Sequence, residues 1–259
     1  MKFWEVWKRG FALSMASDMA YRTSFILLVI SIIFKDMIGP LVSLIIYNVS
    51  SGIPGWTLME FILFQGIVIF VFGVWHAFIG GISWGAAELV DEGELDKVLV
   101  RPFNALAYLS AVYVDFHGLA EVLVGAIIIV WAMANISFSL VLIIPFLLLI
   151  ILALLFILSI SIITAALSII FVNVDAVESI VFVLLSVTSY PVSIYSSGVK
   201  FLLTFIIPAA IASYWPAAVI LGKESGMGII VAIIPVLVFF VFSLWLWNFA
   251  LKKYQSAGG

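Results

Sequence analysis

The sequence predicts an all-α, polytopic membrane protein, and three observations carry that prediction. Hydrophobic residues make up 66% of the chain and charged residues only 10%, with a mean hydropathy of +1.34. Soluble domains carry about a quarter charged residues, so this composition excludes an ordinary soluble fold. Charge-free stretches cover residues 37–59, 61–87, 122–174, 179–199, 201–222 and 225–251, and about 20 apolar residues suffice to cross a bilayer core of about 30 Å. The 53 residues of 122–174 would reach about 80 Å as one helix at ~1.5 Å per residue, so they must fold back on themselves.

The elements follow in order, within a single transmembrane domain over residues 1–259. Residues 1–22 hold Lys2, Glu5, Lys8, Arg9, Asp18 and Arg22, and no apolar run of about 7–15 residues ahead of a small-residue cleavage site, so no cleavable signal is expected there. Phe3, Trp4, Trp7 and Phe11 recur at steps of three and four, as in an amphipathic helix lying on the membrane surface. An ordinary lead-in to the first span fits the same residues. Six spans are expected, at 23–48, 59–84, 116–134, 139–171, 178–196 and 227–251. The apolar stretch 197–226 is broken by Gly198, Pro208, Pro216 and Gly222, which suits short helices that enter the membrane and return, packed against protein. A seventh and eighth span through it is the rival count.

Lysine and arginine set the expected orientation. With the N-terminus inside, inner segments hold Lys2, Lys8, Arg9, Arg22, Lys97, Arg101, Lys252 and Lys253, against Lys200 and Lys223 outside. Positive residues concentrate on the cytoplasmic side of membrane proteins, so both termini and residues 85–104 are expected in the cytoplasm of a cell-membrane protein. Most tryptophans fall near expected span ends, as interface anchors do; Trp75 falls inside a span. No repeat relates the two halves of the chain, and the inverted repeats of many secondary transporters find no support. The chain has no cysteine, which excludes disulfides and thiolate metal sites.

Three constellations carry chemistry. The first is an island from Glu88 to Arg101 that holds seven of the chain's 25 charged residues. Within it Leu95, Val98 and Leu99 recur at three and four, with Gly93 before them and Pro102 after. That pattern predicts a short helix, apolar on one face and charged on the other, suited to a groove on a cytoplasmic partner. A solvated cytoplasmic loop is the plainer alternative. The second is Lys35–Asp36, twelve residues into the first span. A charge at mid-membrane costs about 2.5–3.5 kcal/mol on insertion scales, so such residues face a bundle interior; they line a substrate path or pair with another helix. The third is Asp115, His117 and Glu121, a relay or metal set at the entry to the third span, or simply hydrated helix-end residues.

Hydrolytic machinery is not expected on this chain. A phosphate-binding loop needs Gly-x-x-x-x-Gly-Lys-Ser/Thr, whereas the Gly222–Lys223 pair is followed by Glu224. His76 and His117 lie in or beside spans, and no Ser-His-Asp arrangement suggests itself. No cofactor, metal or nucleic acid is expected to bind the chain itself.

At the island the residues resemble a known family. Gly93-x-Leu95-Asp96-x-x-Leu99-x-Arg101-Pro102, between the second and third of six spans, resembles the permease subunit of type-2 ATP-binding-cassette exporters. A second block, Tyr190-Pro191, Gly198, Thr204-Phe205-Ile206-Ile207-Pro208, Tyr214-Trp215-Pro216-Ala217 and Leu221-Gly222, is similar in order to that family's outer re-entrant segment. The resemblance implies a permease that dimerises with itself or a paralogue, each half sitting on an ATPase subunit that holds ATP and magnesium. Glu92, Gly93, Leu95, Asp96, Leu99, Arg101 and Pro102 would form the coupling element, Leu95 and Leu99 seating in the ATPase while Asp96 and Arg101 orient the helix. Lys35 and Asp36 depart from the family pattern. The expectation is thus an ATP-driven exporter of an amphipathic or hydrophobic compound. Two alternatives stand beside it: a secondary transporter or channel using Lys35, Asp36, Asp115, His117 and Glu121, and a membrane scaffold that docks a partner on the island.

Overall fold

A computed structural model describes residues 3–171, 179, 181, 183, 185–224 and 226–254, and no strand occurs among them. Five helices among these residues are long and apolar enough to cross a membrane: Arg22–Val49, Leu58–Ile79, His117–Ala134, Leu140–Phe171 and Val231–Lys253. They coincide with five of the six expected spans. Of the fifth, 178–196, residues 178, 180, 182 and 184 lie outside the described residues; 179, 181, 183, 185 and 186 are helical, and its far end is not a regular α-helix but two 3₁₀ turns, Val187–Ser189 and Val192–Ile194.

We number the α-helices in chain order. The first, α1 (Phe3–Ala20), packs against α6 (Ala105–Val112), a helix in the connection between the island and the third expected span. The approach is close enough that a Cβ on Gly10 would sit 2.0 Å from the Ala111 carbonyl oxygen. Ser14 donates to the Val114 carbonyl at 2.6 Å. Trp4, Trp7 and Phe11 form the expected aromatic row, their rings stacked at 4.9 and 5.0 Å, and the row ends edge-on against Phe116.

Helix α2 (Arg22–Val49) stands at the edge of the bundle and contacts α3 (Leu58–Val74) and α7 (His117–Ala134). Thr57 and Glu60 form a reciprocal capping box that starts α3 and satisfies two backbone donors a helix end leaves open. The α3 backbone continues through a π-helical turn, Trp75–Ile79, into α4 (Gly81–Asp91). One helical path therefore runs from residue 58 to residue 91, seven residues past the expected end of the second span.

The closest helix pair is α3 with α7. Glycines at 66 and 73 on one and at 118 and 125 on the other bring the backbones together: a Cβ on Gly73 would lie 2.5 Å from the Val122 nitrogen, and one on Gly125 2.4 Å from the Phe70 nitrogen. Small residues at such steps let membrane helices associate by backbone packing, since lipid supplies no hydrophobic drive for it. The seven-residue glycine spacing on both helices is legible in the sequence.

Helix α8 (Ile143–Phe171) spans both hydrophobic cores. One core joins α3, α7 and α8 to the segment 185–221; the other joins α4, α5 (Leu95–Leu99), α6 and α8 to the end of α11 (Gly226–Lys253). Within 185–221, α9 (Ser197–Phe201) leads through a π turn and a 3₁₀ turn to α10 (Tyr214–Ile220), and residues 208–220 are buried throughout. Pro191 and Pro208 precede 3₁₀ turns, and Pro216 sits in the first turn of α10. A missing N–H costs nothing at such places. At this end Lys223 binds Glu60 at 3.0 Å and the Gly55 carbonyl at 2.9 Å.

Candidate functional site

Charges embedded in apolar helices need partners, and three helices supply them at one point. Lys35 of α2 reaches Glu121 of α7 at 3.0 Å, and His76, in the π turn, lies 2.5 Å from the other Glu121 oxygen. Asp36 lies 3.9 Å from Lys35, its side chain only 8% exposed, and its Oδ2 has no hydrogen-bond partner among the described residues. Glu121 can reach His76 because of the glycine contacts below it: Gly73 holds α7 at the level of Glu121 and Val122, and Gly118 meets Ala77.

The cluster forms one wall of a cavity of about 480 Å³ between the helices, a volume typical of small-molecule sites. Phe72, Trp75, His76 and Trp84 form an aromatic wall. Trp75, which fits no membrane interface, has its place here: its indole N–H donates to Ser161 of α8 at 2.8 Å. The π turn sets the geometry of this wall. Trp84 follows His76 by eight residues, about 80° out of phase in a regular helix, and the residue absorbed by a π turn brings it to about 20°. The two rings lie stacked at 5.8 Å. Gly80 leaves room for this, since a Cβ there would be 2.8 Å from the Trp84 ring.

The expected residues thus fall into separate places. Lys35, Asp36 and Glu121 come together, joined by His76, Trp75 and Trp84, which the sequence reading had not assigned to a site. The signal available for His76 was a titratable ring inside a span. Asp115 and His117 do not join them. His117 pairs with Asp115 at 2.7 Å at the start of α7, with Phe25 beside its ring, and among the described residues its side chain makes no hydrogen bond or ion pair with the Glu121 cluster one turn on. Among the described residues no group of three or more His, Cys, Asp or Glu side chains is arranged to hold a metal ion.

The island has a defined shape. Helix α4 ends in a Schellman motif: Gly93, at φ 69°, donates to Val90, and Glu94 donates to Leu89. The positive φ is available to glycine without Cβ strain. The chain then turns back as α5. Leu95 is fully buried (0% exposed) and Val98 nearly so, in the core made with Leu89, Leu109, Ile169 and Trp247. The expectation that Leu95 seats in a partner is therefore corrected: the apolar face of α5 fills the chain's own core, and Leu99 is half-buried against it. What the island presents outward is Asp91, Glu92, Lys97, Arg101, Pro102 and Val100, the last 81% exposed. Arg101 is held over the Tyr108 ring at 4.5 Å and donates to the Lys97 carbonyl.

Bilayer-length apolar helices around a polar and aromatic cavity define a multi-pass membrane protein of the transport class. The model of the family described as ABC-2 family transporter protein matches residues 33–258. The chain belongs to that family, whose permeases generally pair with ATPase subunits. No curated protein and no solved structure matches it.

Proposed function

We propose that the chain is the permease subunit of an ATP-driven exporter, switching its cavity between the two sides of the cell membrane as a separate ATPase subunit opens and closes. One observation carries the coupling: a single helical path, 58–91, has the outer capping box at one end, the aromatic cavity wall at its middle and the island at the other end. A push on the island moves Trp84 and, through the π turn, Trp75 and His76. The family match supports an ATPase partner, and the absence of a phosphate-binding loop in the sequence fits hydrolysis on another chain.

In this reading the contact surface is the outward face of the island, centred on Val100 and Arg101, with Gly93 and the buried Leu95 fixing its angle and Asp96 on the half-buried flank. The N-terminal helix, the island and the end of α11 gather at one end of the bundle, where the lysines and arginines concentrate; that end is cytoplasmic by the positive-inside rule. Residues 197–226, anchored by Pro191, Pro208 and Pro216, form the outer re-entrant segment. A second permease copy or a paralogue completes the transporter, with α2, the least covered long helix, beside lipid or the second permease.

Affinity purification from native membranes with mass-spectrometric identification of partners tests this. Recovery of a protein bearing a phosphate-binding loop, lost in Val100→Asp, is the expected result. Recovery of the chain alone, with transport that follows an ion gradient and not ATP, would transfer the function to a secondary transporter working through Lys35, Asp36, His76 and Glu121.

A further inference from the structure

One buried acceptor at the cavity is left over once its hydrogen bonds are assigned. The Ser161 hydroxyl receives the Trp75 indole, Thr164 donates to the Ile160 carbonyl, Ser83 to Gly80 and Ser186 to Val183. Lys35 is committed to Glu121, and His76 to the same carboxylate. The Asp36 Oδ2 remains, buried and without a partner among the described residues. A buried acceptor left unpaired costs free energy that a donating ligand recovers. Charge points the same way: the Asp36 and Glu121 carboxylates share the one ammonium of Lys35, in surroundings where an uncompensated charge is expensive. Beside it stands the aromatic wall of Phe72, Trp75 and Trp84, whose ring faces attract cations and whose area suits an apolar body.

We propose that the cavity takes an amphipathic organic amine, its protonated nitrogen donating to Asp36 and its apolar part lying against Trp75 and Trp84. The inference rests on the reading of this cavity as substrate-facing and narrows the cargo to a cation. Glu121 acts here as a positioning group, holding Lys35 away from full neutralisation of Asp36.

The test uses the full chain purified in detergent and two probes with one fluorophore: dansylcadaverine, which carries a primary ammonium, and its N-acetyl derivative, which is uncharged. Fluorescence anisotropy is expected to show the ammonium form binding about tenfold tighter, a difference of about 1.4 kcal/mol. Asp36→Asn is expected to shrink that preference to about threefold or less. Equal binding of the two probes to the wild-type chain overturns the proposal, as does a preference that survives Asp36→Asn. If Asp36→Asn does not purify as a single species, Trp84→Leu replaces it: weaker binding of the ammonium form is expected, and unchanged binding of both probes overturns the assignment. Because binding is read on this chain alone, its failure is separable from failure to recover an ATPase partner.

Discussion

Lys35 and Glu121, 86 positions apart, meet at 3.0 Å between α2 and α7. The pair joins the outermost helix of the bundle to its closest-packed one, and His76 ties the same carboxylate to α3. Three helices are thereby fixed to one another at the cavity, in surroundings where polar groups have few other partners.

The pair therefore predicts a coupling. In a double-mutant cycle on the purified chain, Lys35→Met and Glu121→Gln should each lower the thermal midpoint. The double variant should lose less than their sum, with an interaction of about 1 kcal/mol. Strict additivity would mean the two side chains do not support one another.

A second prediction concerns the helix contact beneath. Gly73→Val places carbon where Val122 and Glu121 backbone atoms already lie. Overpacking of this kind costs about 1–3 kcal/mol, and here it also lifts Glu121 from His76. A lower unfolding midpoint together with altered probe binding is expected, whereas Gly55→Ala, with open space around it but a φ of 79°, should leave the cavity unaffected.

Leu95 and Val100 separate folding from docking. Leu95→Asp puts a charge into a filled core, at a cost of several kcal/mol, and should reduce the amount of folded protein recovered from membranes. Val100→Asp changes an exposed side chain and should leave recovery intact while abolishing ATPase co-purification. Equal recovery of the two variants would contradict the burial of Leu95.

The Trp75 indole bond to Ser161 should be worth about 1 kcal/mol. Trp75→Phe and Ser161→Ala are each expected to lower stability, and combining them should cost little more than the first alone. Melting of the three variants in one detergent decides it.

Tyr113, outside the spans, gives a pH-dependent signal. Burial, reinforced by the Glu88 carboxylate, pushes its phenol up from about 10 to about 12. Below about pH 10 the phenol is neutral folded or unfolded, and its contribution to stability is complete. As pH rises toward 12 the unfolded chain ionises first, so that contribution is lost. The difference in ultraviolet absorbance titration between wild type and Tyr113→Phe should locate this phenolate well above the others, and Glu88→Gln should bring it down.

The class of the molecule and five of its long helices were legible in the residues because a bilayer imposes a local requirement: about 20 apolar residues with no unpaired charge. The island was legible for the same reason, as the place where that requirement lapses, and Gly93 marked its turn. Which way α5 faces was not legible. Leu95 and Val98 form an apolar stripe whether the groove that receives it is on a partner or on the chain's own α8 and α11. Nor could spacing show that Glu121 takes Lys35 and His76 while His117 takes Asp115, since both acids lie within one turn or so of His117 in sequence. Pairing of residues 35, 76 and 121, and the cavity they wall, depends on how closely α3 and α7 approach and on the one-residue phase shift of the π turn. Those are properties of backbones in contact, and only the tertiary structure fixes them.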